Sequence, residues 1–295
     1  MRVLVTGTTG FIGRHLMERL QGRYDVVALD LRDNKADSVF TQDALRNVDA
    51  VVHLAGMKGR DLCSENLREA IAFNVVETGA LVAAARLAGV RRFIFASTYM
   101  VYGRRLPNDL PSCEGDEIRP SDLYAMTKAL AEQIVQREAM DSTILRLGHV
   151  YGPDPLSESS DVVSRFLTSA LQEGIIHLHG SGSTCVDPIY VDDVCECIER
   201  LLRAPSTGRN LFNVASGSAV TIRELAEAVH QVAKKRGFPV DIVSKGGDDS
   251  SEFHKAVSVD CIHRFLPGFR PRGLSRGLED CMEHIQCCQP SLTRR

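Results

Sequence analysis

A chain of 295 residues is long enough for two folded units, or for one large unit with an appended lobe. With 44% hydrophobic residues, 25% charged residues and a formal net charge of −3, its composition is that of an ordinary globular protein. This excludes a disordered chain, a collagen-like rod and a nucleic-acid binder that depends on bulk positive charge.

The nine cysteines are odd in number and scattered, so we expect reduced thiols in a cytoplasmic protein, not a disulfide framework. The first apolar run, Val3–Val5, is too short for a signal peptide. No 18 uncharged apolar residues follow one another, so we expect no membrane-spanning helix and no membrane partner.

Short β-branched runs alternate with helical patterns through the first half of the chain. Runs that are apolar throughout are typical of strands covered on both faces. The predicted strands are Val3–Val5, Val26–Leu29, Val51–Leu54, Phe93–Ala96 and Thr143–Leu147. The predicted helices cover residues 11–21, 41–47, 64–88, 122–139 and 160–173. This alternation predicts an α/β fold with a Rossmann-type, doubly wound parallel sheet.

The pattern changes from about residue 175 onward. A glycine- and serine-rich loop at 180–183 is followed by predicted helices near 191–203, 221–235 and 274–286. We therefore assign residues 1–174 to the sheet-bearing domain and residues 175–295 to a smaller mixed α/β lobe, two parts that can interleave.

The segment that follows the first strand has the glycine spacing of a phosphate-binding turn. Gly7 permits a tight turn, Gly10 lets backbone N–H groups approach a pyrophosphate, and Gly13 lets the first helix pack closely on the strand. The amino end of that helix favours negative charge. The predicted cofactor residues here are Gly7, Gly10, Phe11, Ile12 and Gly13.

Asp30 ends the second predicted strand, close to the distance from the glycines at which a ribose-binding carboxylate is expected. A carboxylate there accepts hydrogen bonds from ribose hydroxyls and repels a 2′-phosphate, so the sequence favours NAD over NADP. Arg32, two residues further, softens that preference.

Tyr124 and Lys128 are four residues apart and therefore share one face of a predicted helix. A neighbouring ammonium stabilises a phenolate, so we expect Lys128 to lower the pKa of Tyr124 and to make it an acid or base near neutrality.

The glycine loop, Asp30 and the Tyr124-x-x-x-Lys128 pair together resemble the extended short-chain dehydrogenase/reductases, the NAD-dependent sugar epimerases and dehydratases. Segments 49–56, 74–75, 95–103, 191–194 and 213–215 match as well. The resemblance implies that Thr98 joins Tyr124 and Lys128 in catalysis. It implies further cofactor residues at Leu54, Ala55, Gly56, Lys58 and Asn74, with Tyr124 and Lys128 also contacting the cofactor. It implies substrate residues at Ser97, Thr98 and Tyr99.

The positions after Thr98 bear on the reaction type. Family dehydratases usually carry an Asp-Glu pair there, and nucleotide-sugar decarboxylases commonly a Glu at the second position; this chain has Tyr99 and Met100, which cannot act as that acid and base near neutral pH. Lys58 resembles a lysine of UDP-sugar 4-epimerases, although a solvated loop charge is an equal interpretation. We therefore expect epimerisation at C4 of a UDP-sugar through a transient 4-keto sugar.

Two departures from the family pattern leave the substrate open. His149 stands where an Asn usually touches the substrate, and Val186 where many members place an Arg on the diphosphate. Either another cation takes over, with Arg209, Arg264 and Arg272 as candidates, or the substrate is not a standard UDP-sugar. Both positions are still predicted to contact substrate.

Two alternatives therefore stand beside the epimerase. One is an NAD(P)-dependent reductase or dehydrogenase of a sugar or another carbonyl compound, and the other is a non-enzymatic NAD-binding scaffold. We expect a small-molecule partner, no nucleic acid and no metal, since no third ligand accompanies His177 and His179. The resemblance also implies a homodimer joined by the helices near 64–88 and 122–139.

Overall fold

The structure is a computed structural model that describes residues 1–32, 36, 38–137, 141–153, 161–205, 208–246 and 254–288. The strands are β1 (Arg2–Thr6), β2 (Asp25–Leu29), β3 (Ala50–His53), β4 (Arg92–Thr98), β5 (Asp141–Leu147), β6 (His149–Tyr151), β7 (Ile175–His179), β8 (Cys185–Val186), β9 (Pro188–Tyr190), β10 (Arg209–Val214), β11 (Val220–Thr221) and β12 (Asp241–Lys245). The α-helices are α1 (Phe11–Leu20), α2 (Val39–Ala44), α3 (Arg60–Glu65), α4 (Leu67–Ile71), α5 (Glu77–Leu87), α6 (Leu123–Arg137), α7 (Val162–Gln172), α8 (Val191–Arg203), α9 (Ile222–Lys235), α10 (Asp260–Phe265) and α11 (Leu274–Cys288).

Six parallel strands form the central sheet in the order β10-β5-β4-β3-β1-β2. Both faces are covered: Val3 and Val5 pack into one buried cluster, whereas Leu4, between them, packs into another. Apolar side chains are therefore required at three successive positions of β1, Val3 to Val5. The predicted Rossmann-type sheet and its first five strands are confirmed.

The direction of strand addition reverses at β1, because β2 lies on one side of β1 and β3 on the other. In open α/β sheets, a crevice for ligands opens at such a switch point, beyond the carboxyl ends of the strands. The glycine loop after β1, the loop after β3 and Thr98 at the end of β4 all reach this edge.

The two predicted parts of the chain interleave. Strand β10, from the second part, pairs in parallel with β5 as the sixth strand of the central sheet. Helix α8 packs against α1. The remaining strands of the second part make small two-stranded sheets, such as β8 with β11.

The single helix predicted at 64–88 is three segments, with a π-helical turn at Ala72–Val76 between α4 and α5. A π turn inserts one extra residue and turns side chains out of the regular helical positions. Here it carries Asn74, whose buried amide bonds the backbone of Met57 and the hydroxyl of Thr127. Hydrophobic periodicity does not reveal this local polar requirement.

Among the described residues, one helical stretch, Leu67–Leu87, is long and apolar enough to span a membrane by length and composition. It contacts α6 through α4, the π turn and α5. A core helix of a globular protein passes the same test, so this finding alone does not indicate a membrane segment.

Candidate active site

The turn between β1 and α1 leaves no room for side chains at two of its glycines. Gly7 has a φ of +71°, and a Cβ added there would lie 2.7 Å from the backbone nitrogen of Ala55. A Cβ at Gly13 would collide with the carbonyl oxygen of Gly7. Gly10 begins α1 without a capping side chain, so the amino end of that helix stays open to an anion. This backbone cradle fits the pyrophosphate of a dinucleotide.

A cavity of about 340 Å³ lies at this edge of the sheet. It brings together twelve of the predicted site residues: Gly7, Gly10, Phe11, Ile12, Gly13, Leu54, Gly56, Lys58, Ser97, Thr98, Tyr124 and Lys128. Met57, Ala96, Leu147, Gly148 and Val150 complete the lining. The predicted residues that do not line it are Asp30, Ala55, Asn74, Tyr99, His149 and Val186.

Asp30 lies just past the end of β2, as expected, but its carboxylate is paired with Arg32 at 2.6 Å. The same guanidinium donates to Thr9 Oγ1 of the glycine loop at 3.0 Å. Arg32 holds the pKa of Asp30 below its ordinary value. A cation therefore lies beside the predicted ribose carboxylate, where Arg32 can soften the preference for NAD over NADP as expected from the sequence.

Ala55 and Asn74 do not line the cavity but form hydrogen bonds that stabilise the segments around it. The backbone nitrogen of Ala55 donates to Thr6 Oγ1, and Asn74 exchanges two hydrogen bonds with the backbone of Met57, at 2.7 and 2.9 Å. The Asn74 side chain thereby fixes the loop after β3. Its geometry indicates a positioning role, and direct contact with the cofactor stays a prediction.

The Thr98 hydroxyl lies near enough to the Tyr124 phenol to act on its ionisation. Burial raises the pKa of Tyr124 to about 12, although the Thr98 hydroxyl acts in the opposite direction. The lowered pKa expected from the sequence is therefore wrong for this structure. Desolvation of the phenolate outweighs its stabilisation, which spacing along a helix does not reveal.

Lys128, which was expected to lower the pKa of Tyr124, is itself buried, with 5% of its surface exposed. Burial lowers the pKa of Lys128 to about 7. The amine is therefore neutral in the pH range where Tyr124 ionises, and it gives the phenolate no full charge there. Its Nζ atom lies 4.1 Å from the centre of the Phe95 ring.

Glu132, one helical turn beyond Lys128, is a functional candidate that the sequence analysis missed. Its carboxylate is fully buried, pairs with Arg146 at 2.8 Å and accepts a hydrogen bond from Ser97. Its negative charge raises the pKa of Lys128 against the effect of burial. Glu132 thus links the strand that carries Thr98 to the helix that carries Tyr124 and Lys128. The regular spacing of four from Tyr124 to Lys128 to Glu132 was the available signal.

The predicted substrate residues are dispersed around this centre. Tyr99 packs in the larger hydrophobic cluster, and Val186 is buried, 7% exposed. His149 directs Nε2 toward Asp161 Oδ1 at 3.7 Å. Ser97 lines the cavity, but its hydroxyl group is bound to Glu132. Contact of these residues with substrate stays a prediction.

Within the described ranges, no three His, Cys, Asp or Glu side chains are grouped closely enough to hold a metal ion. The eight cysteines whose side chains are described are free thiols. The lining of the cavity offers hydroxyl, ammonium and backbone groups around the dinucleotide cradle.

Comparisons with known proteins agree with this geometry. Residues 3–215 match the model of the NAD dependent epimerase/dehydratase family. The chain is 31% identical to a UDP-glucose 4-epimerase of Mycolicibacterium smegmatis, covering 92% of this chain and 91% of that protein. It is 29% identical to the human dTDP-D-glucose 4,6-dehydratase, covering 79% and 74%.

Among solved structures, the fold matches MoeE5 in complex with UDP-glucuronic acid and NAD, with a TM-score of 0.85 and 28% identity over 98% of this chain and 100% of that chain. The cofactor is NAD, as the glycine cradle and Asp30 indicated. The relatives include epimerases and dehydratases alike. The chain belongs to the NAD-dependent epimerase/dehydratase family.

Proposed function

We propose that the protein is an NAD-dependent epimerase that inverts C4 of a UDP-sugar. The observation that carries this proposal is that the hydroxyl groups of Thr98 and Tyr124 line the same cavity as Lys128 and the glycine cradle. A hydroxyl pair in that place can hold a sugar alcohol with its carbon facing the cofactor.

NAD, when bound, accepts a hydride from the sugar carbon and returns it. Tyr124 takes the proton of the 4-hydroxyl group while Thr98 holds the oxygen, and Tyr124 gives the proton back after the keto sugar has turned over. Proton transfer by a phenol with a pKa of about 12 requires stabilisation of the phenolate. Below its pKa of about 7, Lys128 is protonated and provides that charge, and Glu132 favours the protonated form.

The side chains after Thr98 support epimerisation over loss of water. Elimination of water needs a second acid and base beside the reacting pair. Tyr99 is buried with its pKa raised, and Met100 has no titratable group. Neither residue after Thr98 therefore supplies a second acid or base, and a reversible oxidation at a single carbon requires only Tyr124 for proton transfer.

A panel of UDP-, dTDP- and GDP-sugars, incubated with purified protein and catalytic NAD, tests this function. We expect chromatography to show a C4 epimer with no net change in NADH absorbance. A stoichiometric change in that absorbance would instead establish a reductase or dehydrogenase. Absence of turnover with every sugar nucleotide would contradict the proposal.

We also propose a homodimer through the α4–α5 and α6 surface. Five apolar side chains on these helices are 41–59% exposed: Leu67, Ile71, Val76, Met126 and Leu130. Several exposed apolar side chains on helices that pack against one another are typical of an interface. Light scattering after gel filtration should give a dimer for the wild type and a monomer for Leu130→Glu, with Leu106→Glu as an exposed control outside these helices. A monomeric wild type would contradict the dimer.

A further inference from the structure

The sugar side of the proposed site needs a cation that Val186 does not supply, and the two candidate arginines whose side chains are described have partners elsewhere. Arg272 is committed to Asp193 and Asp280, at 3.1 and 2.8 Å. Arg264 is exposed and contacts Cys261. The side chain of Arg209 lies outside the described residues.

Lys255 reaches the neighbourhood of Val186 from a different segment of the chain. Its backbone nitrogen donates to the carbonyl oxygen of Cys185 at 3.1 Å, and Ala256 accepts a hydrogen bond from Ser112 at 2.9 Å. The segment is therefore fastened on both sides. These backbone bonds place the side chain without depending on its charge.

The Lys255 ammonium lies over the Tyr99 ring, with Nζ 5.6 Å from the ring centre. Burial lowers the pKa of Lys255 to about 8, the positive charge of Arg60 acts in the same direction, and Asp122 opposes it. Arg60 and Asp122 are therefore near enough to act on the ammonium. Asp122 also acts on Tyr124.

These contacts locate Lys255 beside the reacting pair. Tyr99 directly follows Thr98, and Asp122 lies two residues before Tyr124. Lys255 does not line the cavity formed by the glycine loop, and its contacts are with Tyr99 and with the backbone next to Val186, so we assign it to the sugar side of the site.

The ring chemistry of a sugar nucleotide then distinguishes two anions that could meet this ammonium. The diphosphate is attached to C1, across the hexopyranose ring from C4, whereas C5 is bonded directly to C4. A cation beside the groups that handle the C4 hydroxyl is therefore closer to the C5 substituent. We propose that Lys255 binds a carboxylate on C5, and that the substrate is a nucleotide-linked hexuronic acid.

This inference rests on the proposed function and specifies its substrate class. An ammonium and a carboxylate form a charge-assisted hydrogen bond, which is stronger where water is partly excluded. The Tyr99 ring beneath Nζ excludes water from one side of the ammonium. A neutral hydroxymethyl group on C5 cannot form the same bond, so Lys255 acts as a specificity-determining residue.

Calorimetric titration of the NAD-loaded protein with UDP-glucuronate, UDP-glucose and UDP tests this assignment. The wild type should bind UDP-glucuronate more tightly than UDP-glucose. Lys255→Met should reduce that preference at least about tenfold, because one partner of a partly desolvated charge pair is removed. Lys255→Arg should retain the preference, and Lys234→Met, at an exposed position on α9, should leave it unchanged.

Each other outcome has a definite meaning. Equal weakening of all three ligands by Lys255→Met would show that the ammonium binds the diphosphate, and would overturn the carboxylate assignment. An unchanged ratio in a folded Lys255→Met variant would overturn any role in specificity. A wild type that binds UDP-glucose and UDP-glucuronate equally would refute the inference alone, whereas one that binds no sugar nucleotide would refute the proposed function as well.

Discussion

The cofactor side and the sugar side of Tyr124 are built in different ways. The cofactor side depends on backbone: one loop, Gly7–Gly13, approaches neighbouring backbone so closely that a Cβ would not fit at either end. The sugar side, as proposed, depends on side chains from separate segments, including Tyr99, His149, Val186 and Lys255. A site made of backbone tolerates few sequences, whereas a site made of side chains can change its ligand by single replacements.

Tyr124 lies between the cofactor side and the sugar side, and Tyr124→Phe should have the largest effect on activity. Loss of the proton-transfer group should lower kcat by about 100- to 10,000-fold. NAD binding should persist, because the glycine cradle is untouched. Rates from coupled chromatography and NAD titration by calorimetry measure the two effects separately.

Tyr24→Phe serves as the matched control, because Tyr24 contacts Arg203 outside the cavity. It should keep the wild-type rate. A Tyr124→Phe enzyme with more than a tenth of wild-type activity would show that another group transfers the proton.

Gly13→Ala tests the claim that backbone contact defines the cofactor side. The added Cβ would meet the Gly7 carbonyl oxygen, so we expect a loss of about 1–3 kcal/mol in the free energy of unfolding and weaker NAD binding. Urea unfolding and calorimetry measure these quantities. Gly115→Ala, where a Cβ meets no atom within 4 Å, should change neither. Equal NAD affinity in the two variants would contradict the cradle.

Glu132→Gln tests the electrostatic support behind the reacting pair. Glu132 raises the pKa of Lys128, so its removal should lower that pKa further below about 7. Because activity needs protonated Lys128, the alkaline limb of the kcat profile should move to lower pH. A profile of kcat against pH for each variant measures the shift.

Arg146→Met is the opposite test, since it leaves the Glu132 charge without its guanidinium partner. As long as Glu132 stays ionised, the pKa of Lys128 should rise and the alkaline limb should move to higher pH. Removing one partner of a buried ion pair destabilises a protein, so circular dichroism must confirm folding of both variants. Shifts in the same direction would contradict the assigned role of Glu132.

Substitutions at Asp30 and Arg32, the residues assigned to the adenosine end of the cofactor, should have the smallest effect. Asp30→Asn should raise NADP affinity relative to NAD by several-fold, because the carboxylate that repels a 2′-phosphate is removed. Arg32→Ala should shift the ratio toward NAD, because it removes the cation paired with Asp30. The ratio of the two dissociation constants is the readout. If the ratio is unchanged in both variants, Asp30 and Arg32 do not determine the preference between NAD and NADP.

The same contrast explains what could be predicted from the sequence. Strands β1 to β5 were predicted because both faces of the sheet are buried and demand apolar runs. The cofactor residues were predicted because glycine is the residue that a tight backbone approach requires. Both constraints are local in the chain.

The sugar side could not be predicted in this way, because its contacts join residues far apart in sequence. The approach of Lys255 to Tyr99 depends on two backbone hydrogen bonds, one from Lys255 to Cys185 and one from Ser112 to Ala256. The predicted direction of the Tyr124 pKa shift was wrong, because the burial that raises this pKa is a property of the folded molecule. Spacing identified the helix face, but it did not reveal the solvent exclusion.

Transfer of deuterium from C4 tests the central claim most directly. A UDP-sugar carrying deuterium at C4 should give its C4 epimer with the deuterium retained at that carbon, as judged by proton NMR and mass spectrometry, because hydride leaves and returns within one site. Tyr124→Phe should abolish the conversion. Loss of the deuterium to water, or accumulation of a dehydrated or permanently oxidised sugar, would contradict the account.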